Sequence, residues 1–135
     1  MLYSSAQQFR FENYSVNAGL PQSQVYCQLQ DENGFMWLGT MGGGLAKFDG
    51  RNFVNYTTRD GLPNNFVHCI FSYKDTLWIG TQNGLCFFDG YTFKTVEDST
   101  INGKHIVSFY KDKARTLVGT TDGIYEAGGS RFFRN

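Results

Sequence analysis

Short apolar runs alternate along this chain with clusters of Gly, Asp and Asn, and no stretch carries a helical period. Val25–Gln30, Phe35–Thr40, Leu45–Phe48 and Phe53–Tyr56 read as four short strands. Between them lie the turn segments Asp31-Glu32-Asn33-Gly34, Gly42-Gly43-Gly44 and Asp49-Gly50. Asp-Gly between apolar runs is a strong hairpin signal, because both central residues tolerate positive φ. The same order returns as Val67–Ser72, Thr76–Thr81, Leu85–Phe88 and Phe93–Val96. It returns more faintly as His105–Tyr110, Thr116–Thr120, Ile124–Glu126 and Arg131–Phe133.

The recurrence is an internal repeat. Gly19-Leu20-Pro21 comes back 42 residues later as Gly61-Leu62-Pro63. Met36-Trp37-Leu38-Gly39-Thr40 comes back after 41 as Leu77-Trp78-Ile79-Gly80-Thr81, and Leu45–Gly50 after 40 as Leu85–Gly90. Leu117-Val118-Gly119-Thr120 is a third copy with Leu117 in place of the Trp. A four-stranded unit of about 40 residues is a β-propeller blade. The expected fold is therefore all-β: three four-stranded antiparallel blades, at 19–60, 61–100 and 101–135, with an extra N-terminal outer strand within 7–18. The first strands are apolar on both faces, Val25, Cys27 and Leu29 against Tyr26, and Val67, Cys69 and Phe71 against His68 and Ile70. That suits a sheet sandwiched between two others. Trp37 and Trp78, in register, are the expected wedges between blades.

Propellers close with about four to eight blades, and three leave an incomplete ring with end faces exposed. The segment Phe9–Tyr14 resembles the outer strand Phe53–Tyr56, so it is expected to belong to a preceding blade. Either the chain is the front of a longer protein, or copies associate. A homodimer would close a six-blade ring, with Phe9–Tyr14 completing a blade of the partner.

Composition narrows the functional classes. Twelve Lys+Arg balance twelve Asp+Glu, giving a formal net charge of zero, so nothing favours a phosphate backbone and nucleic acid is not an expected partner. Aromatic residues reach 17%, with 16 Gly and 2 Pro, as strands and tight turns require. No apolar stretch is long enough to span a bilayer. Ser4-Ser5-Ala6 before Gln7-Gln8 has the form of a signal-peptide remnant, or residues 1–6 are a disordered start. Cys27, Cys69 and Cys86 form no closely spaced pair. They suit neither zinc nor a disulfide framework and read as small buried hydrophobes. No metal or cofactor is expected.

The motif series Gly-Leu-Pro-x-x-x-Val, Asp-x-x-Gly-x-x-Trp-Leu-Gly-Thr and Gly-Gly-Leu-x-x-Phe-Asp-Gly-x-x-Phe-x-x-Tyr resembles the two-component regulator propeller repeat. Residues 19–56 carry it almost completely. Residues 61–96 carry it with Tyr73-Lys74-Asp75 in place of the Asp-x-x-Gly turn, and 101–133 carry it weakly. The resemblance implies a piece of the periplasmic sensor region of a histidine kinase or hybrid two-component system of the Bacteroidetes type. It also implies an oligosaccharide signal, with the kinase, membrane anchor and remaining repeats outside these residues.

Candidate chemistry is sparse. Gly42-Gly43-Gly44 lacks the spacing of a phosphate loop and opens a strand rather than a helix. His68 and His105 fall at what looks like one position of successive blades, without a carboxylate cluster to make a metal or catalytic site. Asp49 and Asp89, a conceivable carboxylate pair for glycoside cleavage, are hairpin residues, and no Gly-x-Ser-x-Gly exists. No catalytic residue is assigned. A binding site is the better expectation, since repeat proteins place function on the loops of one face. The polar segments entering the inner strands supply the candidates for a hydroxyl-rich ligand: Gln22, Gln24, Tyr26, Asn64, Asn65, His68, Lys104 and His105. Amides both donate and accept hydrogen bonds. The competing explanation is that Asn, Ser and Gln simply fill turns, leaving a structural interaction module that binds no small molecule.

Overall fold

The computed structural model describes residues 8–128 and 131–134. The stretch read as a signal-peptide remnant, Ser4–Ala6, lies outside the described residues. Among the described residues twelve strands form three antiparallel meanders, each running in chain order across its sheet. The first sheet is β1 (Val25–Gln30), β2 (Met36–Thr40), β3 (Leu45–Phe48) and β4 (Phe53–Tyr56). The second is β5 (Val67–Tyr73), β6 (Thr76–Thr81), β7 (Gly84–Phe88) and β8 (Phe93–Thr95). The third is β9 (Ile106–Lys111), β10 (Thr116–Thr120), β11 (Gly123–Gly128) and β12 (Arg131–Arg134). The first strands β1, β5 and β9 lie side by side, so the sheets converge on them as blades do on a propeller axis.

Side-chain hydrogen bonds within the turns explain why the repeat keeps its polar residues. Asp49, Asp89 and Asp112 each accept two backbone N–H groups of their own turn through Oδ1, at 2.7–2.9 Å. Those donors hold all three carboxyls below the usual carboxylate range. Lys74 and Asp75 instead make a two-residue hairpin with both φ positive, 47° and 60°, as a type I′ turn needs. Thr40, Thr81 and Thr120 each donate a hydroxyl to the carbonyl of Gly44, Gly84 or Gly123, at 2.8 Å. The Thr of the Trp-Leu-Gly-Thr motif is thus a pin across the β2–β3 type of connection.

Gly-Leu-Pro follows a one-turn 3₁₀ helix. Thr57 and Asp60 cap that helix reciprocally before the second copy, and Gly61 ends it at φ 114°. Leu62 then enters the core, 3% exposed. The third unit lacks Gly-Leu-Pro, yet Ile101, 0% exposed, fills the same kind of place. Its turn is held by Asp98, whose Oδ1 accepts from Thr100.

Two apolar clusters lie between the sheets. Trp37, Leu45, Leu62, Val67, Leu77, Ile79, Cys86 and Phe88 join the first sheet to the second. Cys69, Leu85, Ile101, Ile106, Val118 and Tyr125 join the second to the third, with Trp78 packed against them. Trp37 is buried at 3% exposure. Its ring stacks at 6.0 Å on Tyr56 and meets Phe88 edge-on. Trp78 is half-buried and meets Phe87 at 4.8 Å and Phe109 at 6.2 Å. Blade-to-blade hydrogen bonds complete the seams: Gly44 N–H donates to Asn65 O and Gly84 N–H to Lys104 O.

The structure alters two expectations. Strict alternation would put Val67 and Cys69 on one face. Instead Val67 faces the first sheet and Cys69 the third. The cause is a bulge: Val67 pairs Thr81 while Cys69 pairs Gly80, so His68 is an extra residue that reverses the alternation. Tyr26 and Val107 are the extra residues of β1 and β9. The second concerns Phe9–Tyr14, which forms no strand among the described residues. Its end still sits where a preceding blade would place it. Tyr14 packs on Phe48 at 4.9 Å, as Tyr56 packs on Phe88 at 5.7 Å.

Candidate functional site

The eight sequence candidates gather where chain segments enter β1, β5 and β9, and they divide into engaged and free groups. Gln22 accepts from Ser23 N–H at 2.7 Å, Asn64 from Phe66 N–H at 2.8 Å and Asn65 from Thr58 N–H at 2.9 Å. Lys104 forms an ion pair with Asp122 at 2.5 Å. These four shape loops. Gln24 is exposed, and its carbonyl accepts from Met41 N–H.

The remaining three form a column. Tyr26 stacks on His68 at 4.6 Å, and His68 meets His105 at 4.4 Å, so one ring from each blade joins a continuous stack. The two histidines are not equivalent positions, contrary to the sequence expectation. His68 is the bulge residue of its strand and corresponds to Tyr26 and Val107. His105 corresponds to Gln24 and Phe66, whose carbonyls accept from Met41 and Gln82 as that of His105 accepts from Thr121. Bulges re-aim side chains, and that is how two inequivalent histidines meet. The Nε2 of each is buried, and among the described residues it has no hydrogen-bond partner. Burial, then the neighbouring His105, lowers the His68 pKa below its ordinary value. Tyr26 keeps one ring face open, at 44% exposure.

A second feature lies at the opposite ends of the strands and was missed in the sequence. A groove of about 320 Å³ opens between the first and second sheets, walled by Phe35, Trp37, Lys47, Asp75 and Tyr91. Trp37 Nε1–H donates to Asp31 Oδ2 at 2.7 Å, which fixes the indole. The Lys47 ammonium lies 4.0 Å over the Phe35 ring and 5.4 Å from that of Trp37. The available signal was Lys47 itself, the lone cation of an apolar strand whose counterpart is Leu85–Phe88.

Neither site has nucleophilic machinery. The three thiols are free, and burial pushes Cys27 up to about 11 and Cys86 up to about 12, and raises Cys69 as well. Such thiols stay protonated and unreactive. Among the described residues no group of three His, Cys, Asp or Glu side chains is placed to hold a metal, and no helix is long and apolar enough to cross a membrane.

Comparison with known proteins agrees with this architecture. The family model "Two component regulator propeller" matches residues 19–42 and 61–83. Each match runs from Gly-Leu-Pro through Gly-Thr. No curated protein matches the chain. Among solved structures, a domain described as the extracellular domain of a hybrid two component system, BT3049 of B. thetaiotaomicron, superposes with TM-score 0.79 and 25% identity. The match covers 93% of this chain and 18% of that one. The extracellular domain of a system from the same organism, BT4673, gives 0.70 and 25% over 83% of this chain and 17% of that one. A further structure, described as the extracellular domain of a one component system, gives 0.75 at 18% identity, over 92% of this chain and 18% of that one. That last likeness speaks to fold. The chain therefore spans less than a fifth of these neighbours. Three meander sheets and the structural likeness make this an all-β, propeller-type chain, and segments of its first two units match the two component regulator propeller model.

Proposed function

We propose that this chain is a non-catalytic, ligand-sensing part of the extracellular or periplasmic propeller region of a two-component receptor, and that its signal is an oligosaccharide. The observation that carries the reading is the coincidence of the repeat match with structural neighbours that are extracellular domains of two-component systems. Kinase and response functions would reside in other parts of such a receptor. Exposed ring faces beside groups that both donate and accept hydrogen bonds suit a hydroxyl-rich ligand. Thermal melting of the chain against a panel of neutral, amine-bearing and acidic oligosaccharides tests it. A saturable rise in Tm with one class supports sensing, and no shift with any class overturns it.

A second reading has its own observation. The outward face of the first sheet is apolar and open, with Val25 39% exposed where its counterpart Val67 is 0% exposed. On this reading the chain is a structural module that assembles through blade faces and binds no small molecule. Silence across the panel together with self-association would favour it.

A further inference from the structure

We propose that the ligand of the sensing reading, on which this inference rests, binds in the groove between the first and second sheets. We further propose that the groove selects neutral or amine-bearing sugars against polyanionic ones. The repeat itself shows that the groove is a departure from the packing rule. Across the β6–β7 pair, Trp78 faces Phe87, and the phenyl ring fills the space edge-on at 4.8 Å. At the same place in the first sheet Trp37 faces Lys47. The flexible lysine lifts its ammonium onto Phe35, and the groove opens beside it.

Asp31 and Asp89 of this groove are held by hydrogen bonds from Trp37 and from their own turns, but three other charged groups of its lining are available, whereas most candidates at the other end of the strands are engaged. Among the described residues, no hydrogen bond or ion pair occupies the carboxylates of Glu32 and Asp75 or the ammonium of Lys47. By contrast Gln22, Asn64, Asn65 and Lys104 are held in their own loops. Free acceptors beside a free donor match hydroxyl groups, which need both. A flat apolar face for the C–H side of a pyranose comes from Tyr91, which is 91% exposed. Asp31, Glu32, Asp75 and Asp89 against the single Lys47 make the groove acidic. A field of that sign repels sulfate and uronate groups and attracts an ammonium.

The test is calorimetric titration of the full chain with a neutral glucan hexamer, a chitosan hexamer and a heparin-type hexamer. Three variants accompany it: Lys47→Phe, which refills the groove as Phe87 does; Tyr91→Ala, at a fully solvated ring; and Tyr26→Ala, at the histidine column. Near-ultraviolet circular dichroism checks that each is folded. The expected result is binding of the neutral or amine-bearing hexamer, weakened at least about tenfold by Lys47→Phe and by Tyr91→Ala and unchanged by Tyr26→Ala; a tenfold loss is about 1.4 kcal/mol. Tightest binding of the heparin-type hexamer overturns the proposal. So does a glycan affinity that ignores Lys47→Phe and Tyr91→Ala but is lost in Tyr26→Ala; in both cases the sensing reading survives. If none of the hexamers binds, the sensing reading fails as well.

Discussion

Two tryptophans in register carry different energetic weight, because neighbours decide what a wedge is worth. Trp37 is enclosed by Tyr56 and Phe88 and tethered to Asp31, so Trp37→Ala removes a filled core volume and takes the indole donor from Asp31 Oδ2. A loss of about 3–5 kcal/mol is expected, and Trp78→Ala, at a half-buried ring, should cost less; urea unfolding of both variants checks the order. His68 gives a different signature. Its neighbours in the stack are Tyr26 from β1 and His105 before β9, and among the described residues no carboxylate bonds to its ring. Burial lowers its folded pKa. The unfolded chain then binds a proton at this ring more readily than the folded one. Its contribution is fully present above the unfolded value of about 6.5 and is lost as pH falls below it. A series of melts between pH 7.5 and 5 should show Tm declining on the acid side. His68→Phe, which keeps the ring, should flatten that decline, and an unchanged slope would remove His68 as its source.

Blade spacing is set by glycine at the element scale. A Cβ on Gly39 would lie 2.5 Å from Cys27 Sγ and 2.7 Å from the Val67 carbonyl, and Gly80 faces Cys69 and Ile106 in the same way. The second strand of one sheet therefore approaches the first strand of the next through the Gly of the Gly-Thr pair. Gly80→Ala should push the second and third sheets apart, at a cost of about 1–3 kcal/mol. Chemical denaturation measures that cost, and a wild-type midpoint would contradict the close approach. The strands were largely legible in the sequence, because Asp-Gly turns and the Trp-Leu/Ile-Gly-Thr motif mark the first two units, and the third follows them at the same spacing. What escaped was of two kinds. The bulges at Tyr26, His68 and Val107 leave no mark on composition, so alternation misassigned the face of Val67 and aligned His105 with His68. The groove depends on one substitution, Lys47 for the Phe87 of the next copy, whose effect exists only once two sheets are packed. Of the eight residues named for binding, Gln22, Asn64 and Asn65 accept backbone N–H groups in their loops, while the Tyr–His stack depends on contacts between blades that no single repeat unit encodes.

Each blade presents a leading and a trailing face to its neighbours, and the whole molecule inherits the two that are left over. Leu38 and Met36 stand on the leading face of the first sheet where Ile79 and Leu77 stand on the second, and the latter pair is 0% and 5% exposed beneath the first sheet. Tyr14 reaches across the outer part of the first sheet's face, on Phe48. A surface shaped to lie under a blade is cohesive in water. Its natural complement within one chain is the trailing face of the third sheet, where Leu117 replaces the tryptophan. Those two faces differ, so pairing is head-to-tail, and it ends rather than propagates only if the rotation closes. Two copies would place six blades in one ring, a permitted number. Light scattering on a sizing column should then give a sharp species near twice 15.3 kDa. Leu38→Glu with Met36→Glu should return it to the monomer, and removal of residues 8–14 should weaken it. A monomer at every concentration would discard the ring of copies. The leading face would then have to be matched by blades of a longer polypeptide, and the groove between the first two sheets, complete within one chain, would remain the place to look for a ligand.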